Sequence, residues 1–173
     1  NLPFLLARSH VPVWSRERDE DWPIIVLGGS NASAAAATVA ESGDAMADAL
    51  FFGEGEGAVG AIAASCRDTR GKPKTERLEA MARAACGLWP AGDLARTARR
   101  AVAPSDALDR QGDGAVPLLP GAESSTARLE ITRGCPSRCA FCFEGRDRGR
   151  FRAGGETGLL AASRSLKAAT CTY

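Results

Sequence analysis

The sequence predicts an α/β fold with a parallel core, and three observations lead there. Trp22-Pro-Ile-Ile-Val-Leu-Gly-Gly29 is a short apolar run ending in two glycines. That is the pattern of a strand buried on both faces whose C-terminal end opens into a loop. Asp48-Ala-Leu-Phe-Phe52 is a second such run, and Gly53-Glu-Gly-Glu56 is the turn after it. Alanine-rich residues 32–40 favour helix, and 57–68 read the same way. The resulting strand–helix–strand–helix order lays helices on a parallel sheet. In such sheets ligands bind beyond the carboxyl ends of the strands, where both glycine turns fall.

The remaining elements follow in order. Residues 69–77 are polar and charged, and read as solvated surface. Residues 78–103 read as helical stretches interrupted by a short strand at Gly87-Leu-Trp-Pro90. Pro, Gly, Asp and Ser crowd the stretch that follows, which predicts a linker over 104–126 between a first domain at 1–103 and a second starting at 127. Ala127-Arg-Leu-Glu-Ile-Thr132 alternates as a strand does, 155–168 reads as a helix, and 169–173 as the start of another strand. The chain opens on Asn1 and stops in that strand at Tyr173, so it reads as an internal piece of a longer protein, truncated at both ends.

Composition excludes several classes. Lys and Arg number 22 against 21 acids, a formal net charge of +1 that points to neither nucleic acid nor a membrane surface. The apolar start is too short for a signal peptide, and no run approaches the ~18–20 apolar residues of a membrane span. The expected setting is therefore cytoplasmic. Hydrophobic residues make up 45% of the chain but aromatics only 6%, so alanine supplies much of a thin core.

Six cysteines occur, at 66, 86, 135, 139, 142 and 171. Three of them share one loop, Arg133-Gly-Cys135-Pro-Ser-Arg-Cys139-Ala-Phe-Cys142-Phe-Glu-Gly145, with C-x3-C-x2-C spacing. Three thiolates on so short a segment can ligate three irons of a [4Fe–4S] cube, whereas electron-transfer clusters take four cysteines. The fourth iron is left open to a substrate. Gly134 permits close backbone approach and Pro136 stiffens the loop. A zinc site would need a fourth ligand, for which Cys171 is the downstream candidate, and the lone His10 lies far away in sequence. Cys66, Cys86 and Cys171 read as small buried hydrophobes.

The segment Arg133–Gly145 resembles the radical S-adenosylmethionine (SAM) superfamily, whose hallmark is this spacing with an aromatic residue before the last cysteine, here Phe141. The resemblance implies that Cys135, Cys139 and Cys142 hold a [4Fe–4S] cluster and that SAM chelates the open iron, with Phe141 beside its adenine. It implies reductive cleavage of SAM to a 5′-deoxyadenosyl radical, with a reductant such as flavodoxin or ferredoxin. It also implies that residues 127–173 begin a partial (β/α) TIM-like barrel, with the cysteines in the first βα loop. Gly154-Gly-Glu156 matches the string that binds the SAM amino group in such proteins, but it comes too early. It reads as a loop and a first-turn acid. The arginines at 146, 148, 150 and 152 read either as an anion contact or as a solvated charged loop.

Residues 22–56 look like the end of a cobalamin (B12)-binding domain, the Rossmann-like parallel-sheet unit that precedes the barrel in many radical SAM enzymes. By that resemblance Gly28, Gly29, Gly53 and Glu54 lie near the nucleotide tail of the corrin. The D-x-H-x-x-G string is absent, since Arg8 and Val13 flank His10 where Asp and Gly belong, so His10 reads as a surface or packing residue. The enzyme implied is a cobalamin-dependent methyltransferase or radical rearrangement enzyme of unknown substrate. The alternatives are a methylthiotransferase, which carries more cysteines in its first domain, and a non-catalytic iron–sulfur or zinc module.

Overall fold

The computed structural model describes residues 2–110, 129–137, 139–143, 145 and 149–170, with side chains described as far as 165. The chain divides into two compact units, Asn1–Ala103 and Pro104–Tyr173.

The first unit is built on a three-stranded sheet. Helix α1 (Leu2–Arg8) tucks Leu6 inside. Strand β1 (Val26–Leu27) leads to a short helix α2 (Ala32–Ala35), which tightens into a 3-10 turn over Ala36–Thr38. Strand β2 (Ala49–Phe51) takes the centre, then come α3 (Ala58–Asp68), α4 (Lys74–Ala84) and β3 (Leu88–Pro90). The strand order is β1-β2-β3. β1 runs parallel to β2, pairing Val26 with Ala49 and Leu27 with Leu50. β3 runs antiparallel to β2, pairing Leu50 with Trp89.

The mixed sheet keeps the α/β class but departs from the wholly parallel, Rossmann-like sheet that the sequence suggests. The expected surface stretch 69–77 is not all loop, because α4 begins at Lys74. One helix between strands returns the chain for a parallel strand. Here two helices packed on one another intervene, so the chain arrives at the opposite end and β3 runs backwards. After β3 the helices expected up to residue 103 do not form. Gly53 bridges to Ala101 instead, as a further parallel partner.

Period-two alternation along β2 sorts the core into two clusters. Ala49 and Phe51 face Leu78, Met81, Ala85 and Leu88, with Ile24, Val26 and Ile62 packed against them. Leu50 faces the other way, onto Ala47 and Trp89, with Ile25, Leu27 and Val39 around it. Gly87 turns the chain from α4 into β3 because a Cβ there would collide with the Phe52 carbonyl oxygen.

In the second unit, β4 (Thr132–Arg133) pairs antiparallel with β5 (Arg152–Ala153), and α5 (Glu156–Thr170) follows. The Gly154 N–H donates to the Ile131 carbonyl at 3.0 Å and extends the ladder. Asp109 accepts from the Gly155 N–H at the start of α5. Glycine is needed at 158 as well, since a Cβ there would sit 2.6 Å from the Asp109 Cβ. The expected helix at 155–168 is therefore present. Residues 169 and 170 continue it instead of opening a strand, and 171–173 lie outside the described residues.

Candidate metal-binding loop

The cysteine loop leaves β4 and returns in β5 before α5 begins, so it spans a pair of antiparallel strands. The sequence reading put it in a direct strand-to-helix connection, and a TIM-like barrel unit is not what these described residues form. The pair stays short because the expected strand at 127–132 is irregular over 129–131, while 127 and 128 fall outside the described residues. Its entry is anchored. Arg133 is buried, and its Nη2 and Nε donate to the two carboxylate oxygens of Glu130 at 2.6 and 3.1 Å. Two bonds in a fixed fork set the orientation as well as the position of the side chain. Gly134 then adopts φ +83°, where a Cβ would lie 2.7 Å from the Arg150 carbonyl oxygen. A bulkier residue would force the two strands apart at the mouth of the loop.

Beyond that mouth, Cys135 and Cys142 are half-buried and Cys139 is exposed, and all three are free thiols. The Cys142 N–H donates to the Cys139 carbonyl at 3.0 Å, turning the chain between the last two. Phe141 is 93% exposed. Among the described residues, no three His, Cys, Asp or Glu side chains converge closely enough to hold a single metal ion. A cube makes a different demand, because each thiolate binds its own iron. The donor set therefore fits a cluster in its chemistry: three unpaired thiols, accessible, on one anchored loop.

The other expected site residues are dispersed. His10 is exposed, at φ 55° after the end of α1. Gly28 packs beside Phe51, while Gly29, at φ +99°, has open space around it. Gly53 is pressed against Ala101, whose backbone nitrogen would lie 2.6 Å from an added Cβ. Glu54 is buried and accepts the Ala103 N–H at 2.6 Å. Gly53 and Glu54 thus hold the 101–103 segment against the sheet. Cys86 is exposed, which corrects its reading as a buried hydrophobe: it follows the last turn of α4 and points off the core. Cys66 is half-buried and packs against the core. Cys171, Arg146 and Arg148 lie outside the described residues, Arg150 is exposed and Arg152 half-buried.

The sequence reading missed a buried charge cluster in the first unit. Asp48 directly precedes β2, with its side chain fully buried. Its carboxylate receives the Ser15 hydroxyl at 2.6 Å, the Ile25 N–H at 2.7 Å, Lys74 Nζ at 2.6 Å and Arg18 Nη2 at 3.0 Å. Arg18 also donates to the carbonyls of Pro12, Val13 and Met46. Burial by itself pushes the Asp48 carboxyl up, but the bonds from Lys74, Ser15, Ile25 and Arg18 outweigh it and hold the group below the usual carboxylate range. A cavity of about 550 Å³ opens beside the cluster, lined by Ser15, Arg16, Arg18, Asp44, Lys74 and Thr75 among others. The signal for the cluster was an acid directly ahead of an apolar strand, since such an acid is buried with the strand it begins.

Residues 1–89, just over half of the chain, match the family model for radical SAM proteins, N-terminal. No curated protein and no solved structure matches the chain. Among the described residues no helix is long and apolar enough to cross a membrane.

Proposed function

The chain belongs to the radical SAM proteins, and on that premise we propose that Cys135, Cys139 and Cys142 bind a [4Fe–4S] cluster in an enzyme that reductively cleaves SAM. The observation that carries the proposal is the C-x3-C-x2-C spacing of three free thiols on a loop anchored at Arg133 and Gly134. The family match ends at residue 89, before the first of these cysteines, so the two supports come from different parts of the chain. A [4Fe–4S] cluster held by Cys135, Cys139 and Cys142 would supply the one-electron reducing chemistry that SAM cleavage needs.

The chain's own residues have separate tasks in this reading. The Glu130–Arg133 fork and the close Gly134–Arg150 approach hold the loop entry, and the Cys139–Cys142 turn fixes the spacing of the last two donors. Phe141, exposed and next to Cys142, offers an apolar face to an adenine ring. Cobalamin has less support, because Gly53 and Glu54 are taken up by the 101–103 segment and Gly29 alone of the expected contacts keeps open space.

The test is anaerobic reconstitution with iron and sulfide, followed by metal analysis and absorbance near ~400 nm. About four irons per chain are expected, and Cys135→Ala, Cys139→Ala or Cys142→Ala should each abolish the band while Cys86→Ala leaves it. One zinc per chain, or a full cluster in Cys139→Ala, would overturn the assignment.

A further inference from the structure

One thiol outside the cysteine loop has a built environment. Cys66 lies in the last turns of α3, half-buried where that helix packs on α4. Arg77 of α4 faces it and is only 8% exposed. Its Nη2 reaches the Cys66 Sγ at 3.5 Å and its Nη1 meets the Glu20 carbonyl at a marginal 3.5 Å. Its Nε is buried without a hydrogen-bond partner. No carboxylate pairs with Arg77 among the described residues. Arg18, also buried, has Asp48 and three carbonyls around it. A guanidinium cannot shed its proton, so burying it without a carboxylate is costly unless something nearby carries negative charge. The sulfur it points at can acquire such charge as a thiolate.

We propose that Cys66 is a redox modification site, at which the sulfur exchanges with small disulfides of the glutathione class beside the Arg77 guanidinium. In that exchange Sγ forms a bond to one sulfur of the disulfide while the S–S bond breaks. The other half departs as a thiolate and takes up, through water, the proton that Cys66 gives up. Cys66 is oxidised and the departing sulfur reduced, so no further oxidant is required. Relative to the free thiol, the transition state carries one negative charge spread over three sulfurs. A fixed cation 3.5 Å from the attacking sulfur lowers its energy. The partial negative charge at the C-terminal end of α3 opposes this, but it amounts to about half a unit against a full one on Arg77. The flanking Arg67 and Asp68 are exposed and pair with each other. The adduct would sit at the seam between α3 and α4.

Cys86 provides the internal reference, being exposed and without a hydrogen bond or ion pair among the described residues. The fully reduced chain is incubated with oxidised glutathione at pH 7, and mixed disulfides are followed at each cysteine by peptide mass spectrometry. Cys66 should react about tenfold faster than Cys86 although it is less accessible. Arg77→Leu should slow Cys66 about tenfold without changing Cys86, and Arg77→Lys, which keeps the charge, should restore most of the rate. Circular dichroism checks the fold of each variant. If Arg77→Leu does not fold, the wild-type ratio and Arg77→Lys still decide. Equal or slower reaction at Cys66 in the wild type, or a rate unchanged in folded Arg77→Leu, overturns the proposal.

Discussion

Asp48→Asn removes the one carboxylate of the buried cluster with almost no change of shape. Arg18, its side chain 1% exposed, then loses its only acidic partner among the described residues, and Lys74 loses its bond to the same carboxylate. Breaking a buried pair from one side costs about 3–5 kcal/mol, because the remaining charge stays buried and uncompensated. For a unit of about one hundred residues, each kcal/mol moves Tm by about 4–8 °C, so the drop should be about 12–40 °C. Thermal melts followed by circular dichroism at pH 7 measure it. The pH dependence supplies a second reading with a definite sign. The Asp48 carboxyl is held below the ordinary 3.8 by Lys74, Ser15, Ile25 and Arg18, against the upward push of burial. A depressed folded-state value stabilises fully above the unfolded-state value and is lost as pH falls through the folded one. The gap between wild type and Asp48→Asn should therefore be constant near neutrality and narrow below pH 3.8. A loss under about 1 kcal/mol at pH 7 would refute the reasoning, since that is the yield of an exposed pair.

Two further outcomes concern the sheet. Gly53→Ala should destabilise the first unit strongly, because φ is +106° and the new Cβ would drive into the Ala101 backbone, whereas Gly29→Ala, with nothing within 4 Å, should lose only about 1 kcal/mol to its positive φ; denaturant midpoints compare the two. Leu50→Ala, at 1% exposure beside Ala47 and Trp89, should cost about 2–5 kcal/mol, and the Trp89 fluorescence transition reports it.

The sequence was most legible where one local pattern decided the structure. The apolar runs at 22–29 and 48–52 hold β1 and β2, which pair in parallel, because a short apolar run closed by glycine is a local signal. Residues 57–68 became α3, and 87–90 became β3. The start of α4 was hidden in a charged stretch, since its buried face is carried by Arg77, Leu78 and Met81 and surfaces only after the first turn. The antiparallel direction of β3 was not legible either, because it depends on how the chain returns through α3 and α4. The roles of Gly53 and Glu54 were illegible for a different reason. Their partners lie at 101–103, and nothing local to a glycine turn tells a ligand's approach from that of another stretch of the same backbone.

The cysteine loop shows the same division between donors and frame. Spacing points to the proposed donors, because three cysteines within eight residues can each reach a separate iron of one cluster. It does not name the frame, which depends on Gly134 meeting Arg150 and on Arg133 meeting Glu130. Both contacts act at the base of the loop, away from the cysteines themselves. A loop fixed at its base, with its donors accessible and unpaired, suits a cluster that draws three sulfurs to three separate irons. A structural zinc ion asks for the opposite, four ligands converging on one point.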